Sequence, residues 1–316
     1  MIHINSKIYV AGHNGMVGSA LVRTLCHQQY HNLILVDRKT LDLTDKNSVD
    51  LFFKTERPDF VFLAAAKVGG IQHNRSCPAD FIRENLLIQT NVIDASYRYG
   101  CKKLCFLGSA CIYPKLADVP IVEDSLLNGP LEITNEGYAI SKIAGYLMCK
   151  KYTEQYNFNT ISAMPTNLYG INDNFNLDEC HVIPALIHKI FLAKTQNMPY
   201  VECYGDGSAT REFLHVDDLA DALIFLMRTY DDPNIINIGT GIEISIKDLV
   251  LSIADIMDYR GEIRWNTNFP NGTPRRFLNI DKLSALGWQP KINLQSGLQN
   301  TISWFVDNYN HKDLRK

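Results

Sequence analysis

The chain has 316 residues, 46% hydrophobic and 21% charged, with a formal net charge of −3, which is the composition of a globular protein with room for one large domain or two fused ones. No block of Lys and Arg offers the clustered charge that phosphate neutralisation needs, so nucleic acid is set aside as a main partner. No apolar run nears the roughly 18–20 residues needed to cross a bilayer, and "MIHINSKIYVAG" at the start lacks a signal-peptide core; the expectation is a cytoplasmic protein with no membrane partner.

"KIYVAG" (7–12) reads as a strand ending at a glycine, and 15–28 as an amphipathic helix. "NLILVD" (32–37) is a second strand, 46–56 a helix stopped before Pro58, and "DFVFLAAA" (59–66) a third strand. A long helix is expected over 78–100, with Pro78 at its start and Gly100 at its end. Strand 102–109, helix 137–157 and strand 159–165 follow. Alternation of this kind predicts an α/β fold: a Rossmann-like, doubly wound parallel sheet with right-handed crossovers. After about residue 170 the rhythm breaks into loops rich in Asn, Asp and Gly, with helices at 182–195, 217–229 and 246–258. The expected division is a dinucleotide-binding Rossmann domain at 1–170, with 212–242 packing back on it, and a smaller α/β substrate-binding domain at 171–316.

"AGHNGMVG" (11–18) sets Gly12, Gly15 and Gly18 between the first strand and the first helix, with His13, Asn14, Met16 and Val17 among them. Glycines there permit a tight turn, let backbone approach a pyrophosphate and let the helix pack on the strand. The alternative is a glycine turn with no ligand. At the end of the second strand Asp37 favours ribose hydroxyls and NAD, whereas Arg38 favours a 2′-phosphate and NADP; the reading leans to NADP.

"YAISK" (138–142) places Tyr138 and Lys142 on one helix face, and Ser109 closes the fourth strand. A free tyrosine is a poor acid at neutral pH, and an ammonium beside it stabilises the phenolate. Tyr138 could then protonate a carbonyl oxygen that Ser109 holds, while a nicotinamide delivers hydride. Cys111, two residues on, is by base rate a packing residue. The polar loop 176–181 delivers His181 just before a helix, so thiol and imidazole could instead flank one sugar as base and acid. The eight cysteines are scattered and show no paired metal-ligand spacing, so neither a disulfide framework nor a metal site is expected.

The GxxGxxG spacing resembles the extended, sugar-nucleotide branch of the short-chain dehydrogenase/reductases. "GSACIYPK" (108–115), "EGYAISKIAG" (136–145), "PTNLYG" (165–170), "ECHVIPALI" (179–187), "GDGSATREFLHVDDLADA" (205–222) and "NGTPRRFLNIDKLSALGW" (271–288) are similar to the GDP-L-fucose synthase family within it. The resemblance implies a 3,5-epimerase/4-reductase acting on a GDP-linked 4-keto-6-deoxy sugar with NADP(H), and a homodimer. It implies Ser109, Tyr138 and Lys142 as the reductase triad, Cys111 as epimerisation base and His181 as acid. Gly12 to Gly18, Arg38, Leu107, Gly108, Ser109, Ala110, Lys142, Pro165, Thr166, Asn167, Leu168 and His181 match cofactor contacts. Lys189, Tyr204, Arg211 and Asn279 match contacts to the GDP-sugar. The chain departs from the family pattern at Lys189, Tyr204 and Asn279, where Arg, Trp and Asp are common. A pure 4-reductase, or an enzyme of a related GDP-4-keto sugar such as a 6-deoxyheptose, remains the alternative.

Overall fold

The computed structural model describes residues 2–269, 271–311 and 314–316. In chain order the elements of the first half are β1 (Ile8–Ala11), α1 (Met16–His27), β2 (Leu33–Ile34), α2 (Lys46–Glu56), β3 (Phe60–Leu63), α3 (Ile71–Ser76), α4 (Pro78–Arg98), β4 (Lys103–Leu107), α5 (Glu136–Tyr156) and β5 (Thr160–Pro165). The second half holds β6 (Asn167–Tyr169), α6 (Val182–Thr195), β7 (Tyr200–Tyr204), β8 (Thr210–His215), α7 (Val216–Thr229), β9 (Ile235–Ile238), β10 (Glu243–Ser245), α8 (Ile246–Ile256), β11 (Glu262–Asn266), β12 (Arg275–Arg276), α9 (Asp281–Ala285) and α10 (Leu294–Asn308).

Every residue of β1, β3, β5 and β9 is buried, which is why their sequences run apolar without alternation. They join β2 and β4 in one parallel sheet of order β2-β1-β3-β4-β5-β9. Helices α1 and α7 cover one face and α2, α4 and α5 the other, each layer with its own apolar core. The sheet is Rossmann-like and doubly wound, as the alternation predicts. One buried charge has a structural explanation. Lys103, 4% exposed, sends its ammonium to the carbonyls of Leu226, Met227 and Tyr230, the exposed end of the α7 backbone ladder, and pairs with Asp231 at 2.9 Å.

The chain leaves β1 for β2 on one side and returns to β3 on the other. A crevice therefore opens at the carboxyl ends of β1 and β3, where such sheets bind ligands. The ends of β4 and β5 lie on the same edge because all the strands are parallel.

The second half builds a third core. Residues of α6, α8 and α10 pack there around Phe175, Val201, Phe213 and Phe305. Its strands are β8, flanked by β10 and β12 and paired also with β6, and the separate parallel pair β7–β11. The chain crosses back between these cores: α7 packs on α1, and β9 completes the main sheet.

Two local differences from the sequence reading have physical causes. The strand expected over 32–37 pairs only at Leu33–Ile34, because the edge position gives it one neighbour and Asp37 draws the chain into a turn, accepting from the Thr40 amide at 2.9 Å. The sequence reading expects no strand after 159–165, yet β6 to β12 follow: β6, β10 and β12, of two or three residues, carry no periodicity, and the others are four to six residues long within a half rich in turns.

Candidate active site

At the end of β1 the glycine loop is shaped by backbone contact. Gly12 has φ +84°, and a Cβ there would lie 2.8 Å from the backbone of Ala65, past the end of β3. A Cβ on Gly18 would lie 2.1 Å from the Gly12 carbonyl oxygen, so the first turn of α1 rests directly on the loop. Gly15 is the N-cap and supplies no side-chain acceptor, and no acidic residue occupies the first turn. The N-terminal amides of α1 and its positive dipole end therefore face the crevice without a neutralising side chain. His13 Nδ1 is buried without a partner. A pyrophosphate meets all of these needs at once, and the cradle fits a dinucleotide.

Arg38, with a side chain 76% exposed, reaches Glu84 only at 3.4 Å and leaves its guanidinium open. The Asp37 carboxylate is turned into its own Thr40 turn, which holds its pKa below the usual carboxylate range. Of the two residues, the cation is the more exposed to an incoming ligand, with Glu84 as its one ion-pair partner among the described residues.

The end of β4 carries the chemistry. Leu107 O accepts from Lys142 Nζ at 2.7 Å, and Gly108 leaves room for Met164, whose sulfur would be 2.2 Å from any Cβ. Ser109 then caps a single 3₁₀ turn, Ala110–Ile112, its hydroxyl accepting from the Cys111 amide at 3.3 Å. The same hydroxyl stands near enough to the Tyr138 phenol and the Cys111 thiol to pull the pKa of each downward. Four side chains therefore converge: Ser109, Cys111, Tyr138 and Lys142. Lys142 is 4% exposed, with its ammonium 5.7 Å from the Tyr138 ring centre. Burial lowers its pKa to about 8. Burial drives the Tyr138 phenol upward, and the thiol of Cys111 likewise, against a counter-pull from Ser109 and the cations Arg276 and Lys142. Tyr138 also lines a cavity of about 280 Å³ with Phe81, Asn135 and Glu136.

His181 arrives from the other half. The loop before it docks on the turn after β3, where the Gly70 amide donates to Glu179 O at 2.6 Å. A Cβ at Gly70 would lie 2.4 Å from Cys180 O, so only glycine permits this approach. His181 is the N-cap residue of α6, but its imidazole does not cap the helix and is exposed. Desolvation by the protein around it lowers its pKa below the ordinary histidine value. Among the described residues no hydrogen bond joins His181 to Cys111.

The segment at the end of β5 ties the two halves together. Pro165 pairs with Ile238 in the sheet, the Thr166 amide donates to Ile238 O at 2.9 Å, Asn167 Nδ2 donates to Glu212 O at 2.9 Å, and Leu168 pairs with Leu214.

The four residues matched to the sugar nucleotide fall into separate groups. Lys189 and Tyr204 meet, with the ammonium 4.6 Å from the ring centre. Phe269 stacks on the Tyr204 ring at 4.0 Å, and both rings are partly open to solvent. Among the described residues Arg211 has no carboxylate partner: Asp217 is taken by Arg23 at 2.6 Å, and Asp218 accepts from the amides of Lys291 and Ile292. Burial and the neighbouring Arg276 both lower the Arg211 pKa. Asn279 is otherwise engaged, its amide group donating to Asp281 Oδ2 at 2.9 Å and its oxygen accepting from the Asp281 amide at 3.0 Å.

Two residues at this site escaped the sequence reading. Glu212, fully buried, accepts from the amides of Thr240, Gly241 and Leu278 and so fixes the segment that carries β12. Arg276, on β12 opposite Arg211, reaches across to the carbonyls of Ala110 and Tyr113. The only sequence signal for either was a charge within an otherwise apolar or turn-forming stretch.

Residues 8–239 match the NAD dependent epimerase/dehydratase family. The chain is 50% identical over 304 residues to GDP-L-fucose synthase 1 of Arabidopsis thaliana, covering 96% of this chain and 94% of that protein. Among solved structures, a GDP-6-OMe-4-keto-L-xylo-heptose reductase from C. jejuni is 38% identical with a TM-score of 0.93, covering 97% of this chain and 99% of the other. A GDP-L-fucose synthetase from Naegleria fowleri bound to NADP is 27% identical with a TM-score of 0.91, covering 100% and 98%. The glycine cradle at the switch point, the serine, tyrosine and lysine at the strand end, and these full-length likenesses agree: the chain belongs to the NAD dependent epimerase/dehydratase family.

Proposed function

We propose that this protein is a bifunctional epimerase/reductase that converts GDP-4-keto-6-deoxy-D-mannose to GDP-L-fucose with NADPH. The observation that carries the reading is the gathering of Ser109, Cys111, Tyr138 and Lys142 at the end of β4, which brings a candidate reductase acid and a candidate base to one place. The GDP-L-fucose synthase relatives and the NADP-bound neighbour support it.

In this reading the sugar's 4-oxygen lies against Ser109 and Tyr138, which makes the hydrogens at C3 and C5 acidic. Cys111 takes each proton from one face. His181 returns a proton to the same carbon from the other, as an imidazolium can. NADPH, when bound, supplies hydride to C4. Tyr138, held protonated by burial, gives its proton to the 4-oxygen, and the Lys142 ammonium stabilises the phenolate left behind. The glycine cradle and the α1 amides hold the pyrophosphate, and Arg38 faces the 2′-phosphate. Lys189, Tyr204 and Arg211 take the GDP moiety: the ring stacks on the base, and the cations meet the diphosphate.

Division of labour follows the chain: residues 1–170 with 212–242 bind the dinucleotide, and the rest of 171–316 binds the sugar nucleotide. Among the described residues no helix is long and apolar enough to cross a membrane; the reading places the enzyme in the cytoplasm, as a homodimer through α4 and α5.

The test is turnover in D2O with NADPH and GDP-4-keto-6-deoxymannose, read by NMR. GDP-fucose labelled at C3 and C5 is expected. Reduction without label would replace the reading with a plain 4-reductase, and turnover only of a GDP-4-keto-heptose would move it towards the heptose reductase likeness.

A further inference from the structure

We propose that Arg276 is a positioning residue for Cys111: it holds the turn that presents the thiol and sets a positive charge beside the sulfur. The inference rests on the epimerase reading, in which Cys111 is the base.

The contacts are specific. Arg276 Nη2 donates to Ala110 O at 2.6 Å and to Tyr113 O at 3.3 Å, the carbonyls of residues one before and two after Cys111. A single guanidinium nitrogen thus grips both ends of the 3₁₀ turn. Its charge is felt at the sulfur. Among the described residues no carboxylate forms an ion pair with it: the adjacent Arg275 takes Glu243, and Glu132, whose charge it feels, pairs with Lys115 at 3.0 Å. Lys142, the other cation near Cys111, is committed to Leu107 O and stands beside the Tyr138 ring. The Lys142 charge also reaches the thiol, but of the two cations only Arg276 holds the turn that presents it.

The chemistry needs such a charge. To remove a proton from carbon beside a ketone, sulfur must be present as thiolate. The C–H bond breaks, the proton passes to sulfur, and the electron pair moves to the ketone oxygen; His181 then gives its proton to the same carbon from the opposite face. Burial opposes the thiolate, and a fixed cation offsets burial. Arg276 stands on β12, locked in register against Arg211 of β8 and anchored through Glu212 to Leu278. The strand that grips the Cys111 turn is thus paired with the strand that carries Arg211, the cation assigned to the diphosphate, so docking of the sugar nucleotide and readiness of the base share one strand pair.

The experiment compares Arg276→Met and Arg276→Lys with the parent enzyme. Cys111 alkylation by iodoacetamide is followed against pH by peptide mass spectrometry, with exposed Cys26 as internal reference. Solvent deuterium exchange at C3 and C5 and reduction of already epimerised substrate are measured separately. In Arg276→Met, Cys111 alkylation near neutral pH and deuterium exchange should both fall about tenfold, as removal of a neighbouring opposite charge predicts, while reduction stays within about twofold; Arg276→Lys should restore much of both. An unchanged Cys111 profile in Arg276→Met overturns the proposal, as does an equal loss of exchange and reduction. If the parent enzyme reduces without exchange, the epimerase reading fails, and the alkylation profile alone still decides whether Arg276 governs the thiol.

Discussion

Lys142 and Tyr138 are shifted in opposite directions by the same burial, and the consequence is a measurable pH dependence. The lysine falls to about 8 and the phenol rises. At pH 7 Tyr138 is protonated, as an acid must be before it gives up its proton, and Lys142 is still mostly charged. A lysine is cationic below its pKa, so the charge that stabilises the departing phenolate disappears as pH rises through about 8. Single-turnover reduction of already epimerised substrate should therefore decline above about pH 8. In Lys142→Met the rate should be lower throughout and that inflection absent; an inflection that persists would assign it to another group. Tyr138→Phe removes the acid and should lower reduction by about 10²–10⁴-fold, the usual worth of a positioned proton donor, with deuterium exchange at C3 and C5 retained. Loss of both would place Tyr138 in the epimerisation as well.

At the level of elements, the glycine loop and the 171–180 loop make contrasting predictions. Gly18→Ala drives a methyl to within 2.1 Å of the Gly12 carbonyl, and backbone cannot step aside as a side-chain tip could. Helix α1 must move off β1, so stability should drop by about 1–3 kcal/mol and NADPH binding should weaken with it; a parental melt and titration would show that the loop is looser than its contacts imply. In the 171–180 loop Asp173 is 6% exposed with one oxygen unpartnered, and burial pushes its pKa up to about 7. Its folded pKa lies above the unfolded value near 4, so the folded state binds the extra proton in between. Stability should fall as pH rises from about 4 to about 7, and Asp173→Asn should flatten that slope in thermal melts. The same elements show what sequence could reveal. Strands β1, β3, β4 and β5 and the long helices α4 and α5 were legible because continuous burial and capping residues leave long-range patterns. So were Ser109, Tyr138 and Lys142, whose spacing is itself the chemistry. Arg276 was not: β12 is two residues long, and its role exists only through contact with carbonyls more than 160 positions away. Nor could sequence show that Asn279 spends its side chain on Asp281.

At the scale of the whole molecule the candidate site draws on both halves of one chain, and the homodimer proposed above would have its surface on α4 and α5. Helices α4 and α5 pack side by side over the sheet, joined by Gln89 Nε2 donating to Ser141 O. Their outward face keeps Leu87 at 38% exposure, Ile140 at 41% and Leu147 at 38%. Ile140 and Leu147 are two turns apart on α5 and so share one side. Apolar side chains grouped in this way on paired helices fit a two-fold interface, in which the same patch faces itself and every substitution is felt twice. Leu147→Glu would place two carboxylates near such an axis, and each would lose hydration or push the helices apart. The parent should show twice the chain mass in sedimentation equilibrium and Leu147→Glu the single-chain mass, with NADPH binding kept because the cradle lies within one chain. Leu251→Glu, at a 48% exposed site on α8 away from both helices, should leave the parental mass unchanged. A parental mass for Leu147→Glu would move the interface elsewhere, and a single-chain parent would remove it.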